Sequence, residues 1–418
     1  MTTFQHLFTH IKQYGGKHRL LYVVSLMVFF WTIFDGIISY FTPIVITDAG
    51  ISETLMGVII GSSSIAGMFF DFLLCRILKN THYRRLYLGV FAISLVYPLI
   101  LWQSKSIILY FIAMALWGLY YDLFNIGGFD FVGRNTKKSE HTSSCGVMSV
   151  FRSLGYLIAP LIAAFLAGKF MIVQPYIAAW VFLGISLMFF IILMLVSHEK
   201  KAAKNKEAKA TCEKPSNLFR ELHLWKKIGV VILPVLVLTF ILNIIDSFFW
   251  TIGPLISESL PGMGQFGGLF IVAYQLPPLL VGWFVGNFTA KVGKKKTAFI
   301  SLLLGSLVFC SFAFIHSPFV LIAVTFLAAF FIGLAWPSLN GAYADYISEA
   351  PKVEKEIETI EDTFTNLGYF IGPILAGFAG EHLGHMRTFS LMGIVGVILA
   401  LILLKVTPKS IKVENKAD

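Results

Sequence analysis

Four ionisable side chains stand inside stretches that are otherwise apolar: Asp35, Asp122, Arg152 and Asp246. A charged group near the middle of a bilayer costs roughly 2.5–3.5 kcal/mol on insertion scales, so each invites a functional reading. A desolvated carboxylate can exchange a proton near neutral pH, the chemistry that coupling to a proton gradient requires. Asp35 is the first choice for that role and Asp246 the second; the alternative for each is a carboxylate that only bonds a neighbouring helix. Asp35 lies about 24 Å along a helix from Arg19 at 1.5 Å per residue, and Asp246 reaches a similar depth from Lys227. Asp122 and Arg152 enter from one side to depths differing by about 3 Å, and a buried ion pair is expected between them. That pair is either static or a switch that breaks when substrate or proton arrives.

Polar and aromatic residues recur around these groups at helical spacing. Trp31, Asp35 and Ser39 share one face, Tyr121 and Asn125 another, Asn243, Asp246 and Trp250 a third, and Trp336 and Asn340 the last. Aromatic walls with few polar groups suit an amphipathic or cationic organic ligand. About half of these four aromatics are expected to reach a shared cavity, the others serving packing or the interfacial belt.

The elements that must position these residues follow from composition. The chain has 418 residues, 57% hydrophobic and 13% charged, more apolar sequence than one soluble core can absorb. Spanning a bilayer takes about 20 apolar residues, and twelve such runs lie near 20–46, 53–75, 85–103, 107–132, 144–168, 174–196, 228–256, 265–288, 297–316, 318–345, 360–381 and 388–405. The Lys- and Ala-rich segment 198–227 divides an N-terminal six-helix bundle (1–197) from a C-terminal one with its tail (228–418). Two segments with apolar residues on one helical face, around Phe4, Leu7, Phe8 and Ile11 and around Leu218, Phe219, Leu222 and Trp225, suit helices lying in the interface.

The net charge of +10 does not point to nucleic acid. Of the 33 Lys and Arg, only Lys105, Arg152, Lys169 and Arg387 fall outside the segments expected on one side, which makes that side cytoplasmic and both termini with it. A basic face beside anionic lipid explains the charge. Cys75, Cys145, Cys212 and Cys310 are scattered without metal-type spacing and read as free thiols. Gly293 to Thr297 lacks the spacing of a nucleotide-binding loop, and no nucleophile or metal set is clustered, so a pump driven by ATP and a membrane enzyme are both disfavoured.

The chain also repeats itself. Phe34 to Pro43 parallels Ile245 to Pro254; Gly67 to Arg76 parallels Gly286 to Lys295; Gly118 to Phe131 parallels Gly333 to Tyr346; Ser153 to Gly168 parallels Asn366 to Gly380. Four pairs in the same order indicate duplication about a pseudo-two-fold axis, the plan of transporter folds.

On these residues the chain resembles the major facilitator superfamily along essentially its whole length. The loop after the family's second helix is matched by Gly67, Asp71 and Arg76, and its second copy by Gly286, Lys291, Gly293, Lys294 and Lys295. The fifth run is similar to the signature of drug:proton antiporters through Gly146, Gly155 and Pro160, with Ala159 in place of a glycine; Gly368, Gly372 and Pro373 repeat this packing motif in the second half. Phe34 to Ser39 is similar to the first helix of sugar:proton symporters, but the sugar-porter endings after helices 6 and 12 are missing. The resemblance implies an all-α membrane fold of twelve helices in two pseudo-symmetric six-helix bundles. It implies a central cavity lined by helices 1, 4, 7 and 10, which would bring Asp35 and Asp246 together. Asp130 and Asp345, beside the basic loops holding Arg84, Arg85 and Lys294 to Lys296, would be cytoplasmic gate partners; the alternative is a solvated helix-end charge worth less than about 1 kcal/mol.

The function expected is alternating-access transport of a small organic solute, as proton-coupled efflux of an amphipathic or cationic compound. The alternatives are a proton-coupled symporter for a sugar or other small metabolite and a non-transporting receptor or scaffold. The expected partners are the solute, protons and the lipid of the plasma (inner) membrane; no cofactor, metal or nucleic acid is expected, and the chain is expected to act as a monomer.

Overall fold

Within hydrocarbon only a helix satisfies its own backbone, so long apolar runs broken by short polar turns fold as a bundle. The computed structural model describes residues 19–77, 81–136, 140–167, 173–197, 218–281, 285–349 and 353–407. The N-terminal arm, most of segment 198–227, Cys212 and Lys169 lie outside these residues.

The first half contains α1 (Arg19–Asp48), α2 (Glu53–Ile77), α3 (Tyr83–Gln103), α4 (Ile107–Asn135), α5 (His141–Ala167) and α6 (Gln174–Ser197). The second contains α7 (Leu218–Thr251), its short continuation α8 (Gly253–Ser259), α9 (Leu269–Val281), α10 (Val285–Val292), α11 (Lys294–Phe309), α12 (Pro318–Glu349), α13 (Glu354–Leu383) and α14 (His385–Val406). Pro254 separates α8 from α7, having no N–H to continue the ladder, whereas its repeat partner Pro43 stays within α1. The backbone from Leu218 runs straight into α7, so the interfacial helix expected there is the first turns of a longer one.

Among the described residues eleven stretches are long and apolar enough to cross a membrane. The twelfth run read from the sequence, 360–381, is the thirty-residue α13, whose apolar middle is bracketed by Glu354, Glu356, Glu358, Glu361 and Asp362 at one end and Glu381 at the other. Among the described residues no strand occurs, and Cys145 and Cys310 are unpaired.

The duplication is repeated in the packing. α1 lies on α5 as α7 lies on α13, and α2 and α3 lie on α4 as α9 and α11 lie on α12. The halves meet where α2 packs on α13 and α5 on α9. Arg19, Arg84, Arg85, Arg134 and Lys294 to Lys296 mark one end of the bundle, here the basic end. The contacts joining the halves sit at the other. Tyr40 donates to Glu258 (2.8 Å), the Thr54 N–H donates to Glu381 (2.9 Å), and His385 pairs with Glu53 (2.9 Å). Glycines allow the backbones to meet there: Gly57 of α2 abuts the carbonyl of Pro373, Gly377 of α13 that of Glu53, and Gly268, just before α9, that of Pro160. Gly57 and Gly268 are repeat partners, as are Pro160 and Pro373, so duplication produced two matching closures. A Cβ at Gly57 would lie 3.1 Å from the Ile374 Cα, and one at Gly268 2.9 Å from the Ala164 Cβ, against elements that cannot yield without separating the halves.

Gly57→Leu should therefore favour the conformation opened at this end. In a cysteine-free background carrying Ser39→Cys, labelling by a membrane-impermeant maleimide applied to this face should rise about fivefold, the ratio that about 1 kcal/mol of lost closure produces. Equal labelling with and without Gly57→Leu would mean that the glycine contact does not govern closure.

Candidate functional site

Asp35 occupies the middle of α1, where it is 1% exposed. A carboxylate taken from water needs its lone pairs filled, and three donors converge on this one. Trp117 Nε1 (3.2 Å) and the Tyr120 hydroxyl, both from α4, donate to Oδ1, while the Tyr156 hydroxyl of α5 donates to Oδ2 at 2.6 Å. Asp246 on α7 is held in a parallel way: Tyr274 of α9 donates to Oδ1 (2.9 Å) and Tyr369 of α13 to Oδ2 (2.8 Å). Tyr156 and Tyr369 stand at the same place in the repeated segments, each directly after a glycine. Those glycines bring the helices close enough for the bonds. A Cβ at Gly155 would lie 2.8 Å from the Phe29 carbonyl oxygen of α1, and one at Gly368 2.7 Å from the Asn243 Cβ of α7.

Both carboxylates line one cavity of about 330 Å³ between the halves. Its walls also include Ser39, Trp117, Tyr121, Asp122, Tyr156, Trp250, Gln275, Asn366 and Tyr369. Of the four named aromatics, Tyr121 and Trp250 line it. Trp31 does not: it is fully buried within the first half, donating to Ser94 (3.1 Å) and stacking on Phe124 at 3.8 Å. Asn243 is buried between α7 and α13, donating to the Thr239 carbonyl (2.8 Å) and to Thr365 (3.3 Å). Trp336 packs against the core, and Asn340, four residues further along the same helix, is exposed. Helical spacing groups residues by face; it does not say which neighbour the face meets.

The expected Asp122–Arg152 ion pair is also corrected. Arg152 donates to the Asn125 side-chain oxygen (3.0 Å) and to the Tyr121 hydroxyl, with its guanidinium 4.8 Å from the Tyr121 ring centroid and 5.8 Å from that of Phe124. Equal depth on two helices leaves their relative rotation open, and here it turns Arg152 toward aromatic faces. Asp122 lies on the cavity side against Gly67, where a Cβ would approach Oδ2 to 2.9 Å.

The expected gate residues stay within their own halves. Asp130 accepts from the Tyr83 N–H at the start of α3 (2.7 Å) and pairs with Arg134 one turn along its own helix (2.7 Å). His82 caps the same helix start through a ring nitrogen that accepts from the Arg84 N–H, and burial, assisted by Arg134, holds its pKa below the usual imidazole value. Lys294 pairs with Asp345 at 2.5 Å, both in the second half. Gly293 turns the chain between α10 and α11 at φ +90°, Lys291 and Gly286 are exposed, and Gly67 is a packing contact inside the bundle. The side chains of Asp71, Arg76 and Cys75 lie outside the described residues. In the packing motif, Gly155, Pro160, Gly368, Gly372 and Pro373 all meet neighbouring helices, but Gly146 is exposed with nothing near it.

Trp117, Tyr120, Tyr156, Tyr274 and Tyr369, the donors to the two acids, were not anticipated. For Tyr156 and Tyr369 the signal existed, since the repeat keeps a tyrosine at both places; the others have no repeated counterpart. Among the described residues no group of His, Cys, Asp or Glu is arranged to hold a metal ion.

The sequence profile described as Major Facilitator Superfamily matches residues 24–264 and 235–418. The Quinolone resistance protein NorA of Staphylococcus aureus is 28% identical over 148 residues, 35% of this chain and 37% of that protein, so the match spans little more than a third of these curated relatives. The nucleoside transporter NupG has a similar fold, with a TM-score of 0.72 at 15% identity over 92% of this chain and 98% of that one. The peptide transporter POT in complex with sulfate gives a TM-score of 0.70 at 14% identity, covering 93% of this chain and 94% of that one.

Because Arg152 commits its donors to Asn125 and Tyr121, Arg152→Gln should destabilise the fold by about 1.5–3 kcal/mol, the range for hydrogen bonds to charged groups. Thermal unfolding in detergent would measure this, and adding Asp122→Asn should restore none of it. Recovery in the double variant would reinstate the ion pair.

Proposed function

We propose that this chain, which belongs to the major facilitator superfamily, exports a small amphipathic or cationic organic compound in exchange for protons. It is a multi-pass membrane transporter of small molecules and not an enzyme. The observation that supports the finer reading is the pair Asp35 and Asp246, one from each half, facing a single aromatic-walled cavity. A carboxylate in such a place can hold either a proton or a cationic solute, so occupancy by one displaces the other. Trp117, Tyr121, Trp250 and Tyr369 supply the apolar and cation–π contacts that an organic cation needs. The stretch shared with a quinolone resistance protein agrees with export of an organic compound.

In this reading residues 1–197 and 228–418 rock against each other about the cavity, joined by 198–227, with the basic end and both termini in the cytoplasm of a plasma (inner) membrane protein that works as a monomer. The present conformation, held together at the opposite end, then offers its cavity to the cytoplasmic side. Asp35 is the principal proton carrier, and the gate pairs of Asp130 and Asp345 would re-form across the halves as the basic end closes.

Asp35→Asn should abolish efflux of ethidium driven by a pH gradient in proteoliposomes while the protein remains folded by size-exclusion chromatography. Unimpaired gradient-driven efflux in that variant would remove Asp35 from the mechanism. Thermal-shift screening with organic cations, sugars and carboxylates at acidic and alkaline pH would test the substrate class: cations should stabilise most, and stabilisation by sugars alone would favour symport of a sugar.

A further inference from the structure

Among the places where the duplication breaks beside the acids, one spans the gap between the halves. One turn after Asp246 stands Trp250; the equivalent residue one turn after Asp35 is Ser39. Trp250 projects from α7 into the shared cavity and meets the Tyr156 ring of α5 edge-on, with centroids 5.6 Å apart at 64°. Tyr156 therefore engages both halves, while the Arg152 guanidinium one turn back on its own helix lies 6.0 Å from its ring centroid. The Tyr156 hydroxyl donates to Asp35, and its ring lies against the opposite wall. Tyr369, its repeat partner, has the hydroxyl bond to Asp246 but makes no ring contact among the described residues.

We propose that Tyr156 is the positioning residue that transmits the occupancy of Asp35 to the contact between the halves, with Trp250 as its receiver. The proposal rests on the reading of Asp35 as a proton and cation site. With Asp35 ionised and empty, the Tyr156 hydroxyl has a strong acceptor and the ring is fixed against Trp250. A proton on Oδ2 turns that acceptor into a donor, and a bound cation competes for the same oxygen. The proton reverses the bond and leaves it neutral and weaker, and the cation draws the oxygen away, so either event loosens the hold that aims the ring.

The backbone leaves little other freedom at this point. Gly36 touches the Tyr156 ring, where a Cβ would come within 3.3 Å of Cδ1, and Gly155 presses on α1, so α1 and α5 move as one. The ring's hold on Trp250 is then the element free to change. Other groups facing Asp35 are Tyr97 from α3, Trp117, Tyr120 and Tyr121 from α4 and Arg152 from α5; Asp122 and Asp246 share the cavity, and Glu258 of α8 accepts from Tyr40 and faces Asp48. Of these, Trp117 and Tyr120 also donate to Asp35, but among the described residues their rings meet only aromatics of the first half.

The test places nitroxide labels at Ala49 and Pro261, exposed residues of opposite halves at the closed end, in a cysteine-free protein reconstituted in nanodiscs. Electron–electron distances are compared at acidic and alkaline pH. The parent should shift its ratio of open to closed populations with pH. Tyr156→Phe, which keeps the ring and removes the hydroxyl, should reduce that shift about fivefold, as should Trp250→Ala, a change within reach of one aromatic pair. Trp250→Phe, which restores a ring, should recover most of it, so the contrast between the two Trp250 variants decides the matter if Tyr156→Phe fails to fold. A full pH response in Tyr156→Phe, with the response lost in Asp35→Asn, overturns the role of Tyr156 while leaving Asp35 as the proton site. No pH response in the parent overturns both.

Discussion

An acid buried in a bundle of apolar helices must be met by donors from the helices packed on it, and here that condition organises the interior. Asp35 ties α1 to α4 and α5 through Trp117, Tyr120 and Tyr156. Asp246 ties α7 to α9 and α13 through Tyr274 and Tyr369. Tyrosine suits this duty because its ring is at home in the bundle and its hydroxyl reaches the carboxylate. The bonds form only because Gly155 and Gly368 let each helix pair approach. Two tightly crossed pairs result, α1 with α5 and α7 with α13, each carrying an acid at the level of the cavity.

The halves meet chiefly where α2 lies on α13 and α5 on α9. Their matched closures, Gly57 on Pro373 and Gly268 on Pro160, bring backbone to backbone at the end opposite the basic loops. Backbone contact of this kind is either made or lost, which favours two discrete arrangements over a continuum. Polar links at that rim, such as Tyr40 with Glu258 and Glu53 with His385, add register. At the basic end the acids Asp130 and Asp345 are satisfied inside their own halves, so nothing in those pairs opposes separation there.

Duplication did not leave the halves equivalent. Arg152 in α5 sits at the repeat position of Thr365 in α13. The arginine is held by Asn125, Tyr121 and aromatic faces, whereas Thr365 takes part in a neutral-to-acidic chain from Asn243 to Glu361. Ser39 and Trp250 differ in the same way. The first half therefore surrounds its acid with more donors and a cation, and the second with fewer groups and a wall residue that leans across the gap. Such asymmetry sets an aromatic ring of the second half against the tyrosine that bonds the acid of the first.

Sequence alone determined the membrane-spanning helical class, the positions of the runs, the duplication, and which ionisable groups stand inside apolar runs. These are local or compositional facts: length and hydropathy set a span, and insertion cost marks a charge. The span at 360–381 was legible from its apolar middle even though acidic ends dilute it. Which side chains meet was decided only by the tertiary structure, because rotation about each helix axis is fixed by packing and not by spacing along the chain. Hence Trp31 and Asn243 turned into the core, Arg152 turned away from Asp122, and the tyrosines that hold the acids came from helices distant in sequence. Only Tyr156 and Tyr369 left a trace in the linear text, through the repeat that placed each of them behind the glycine that makes its contact possible.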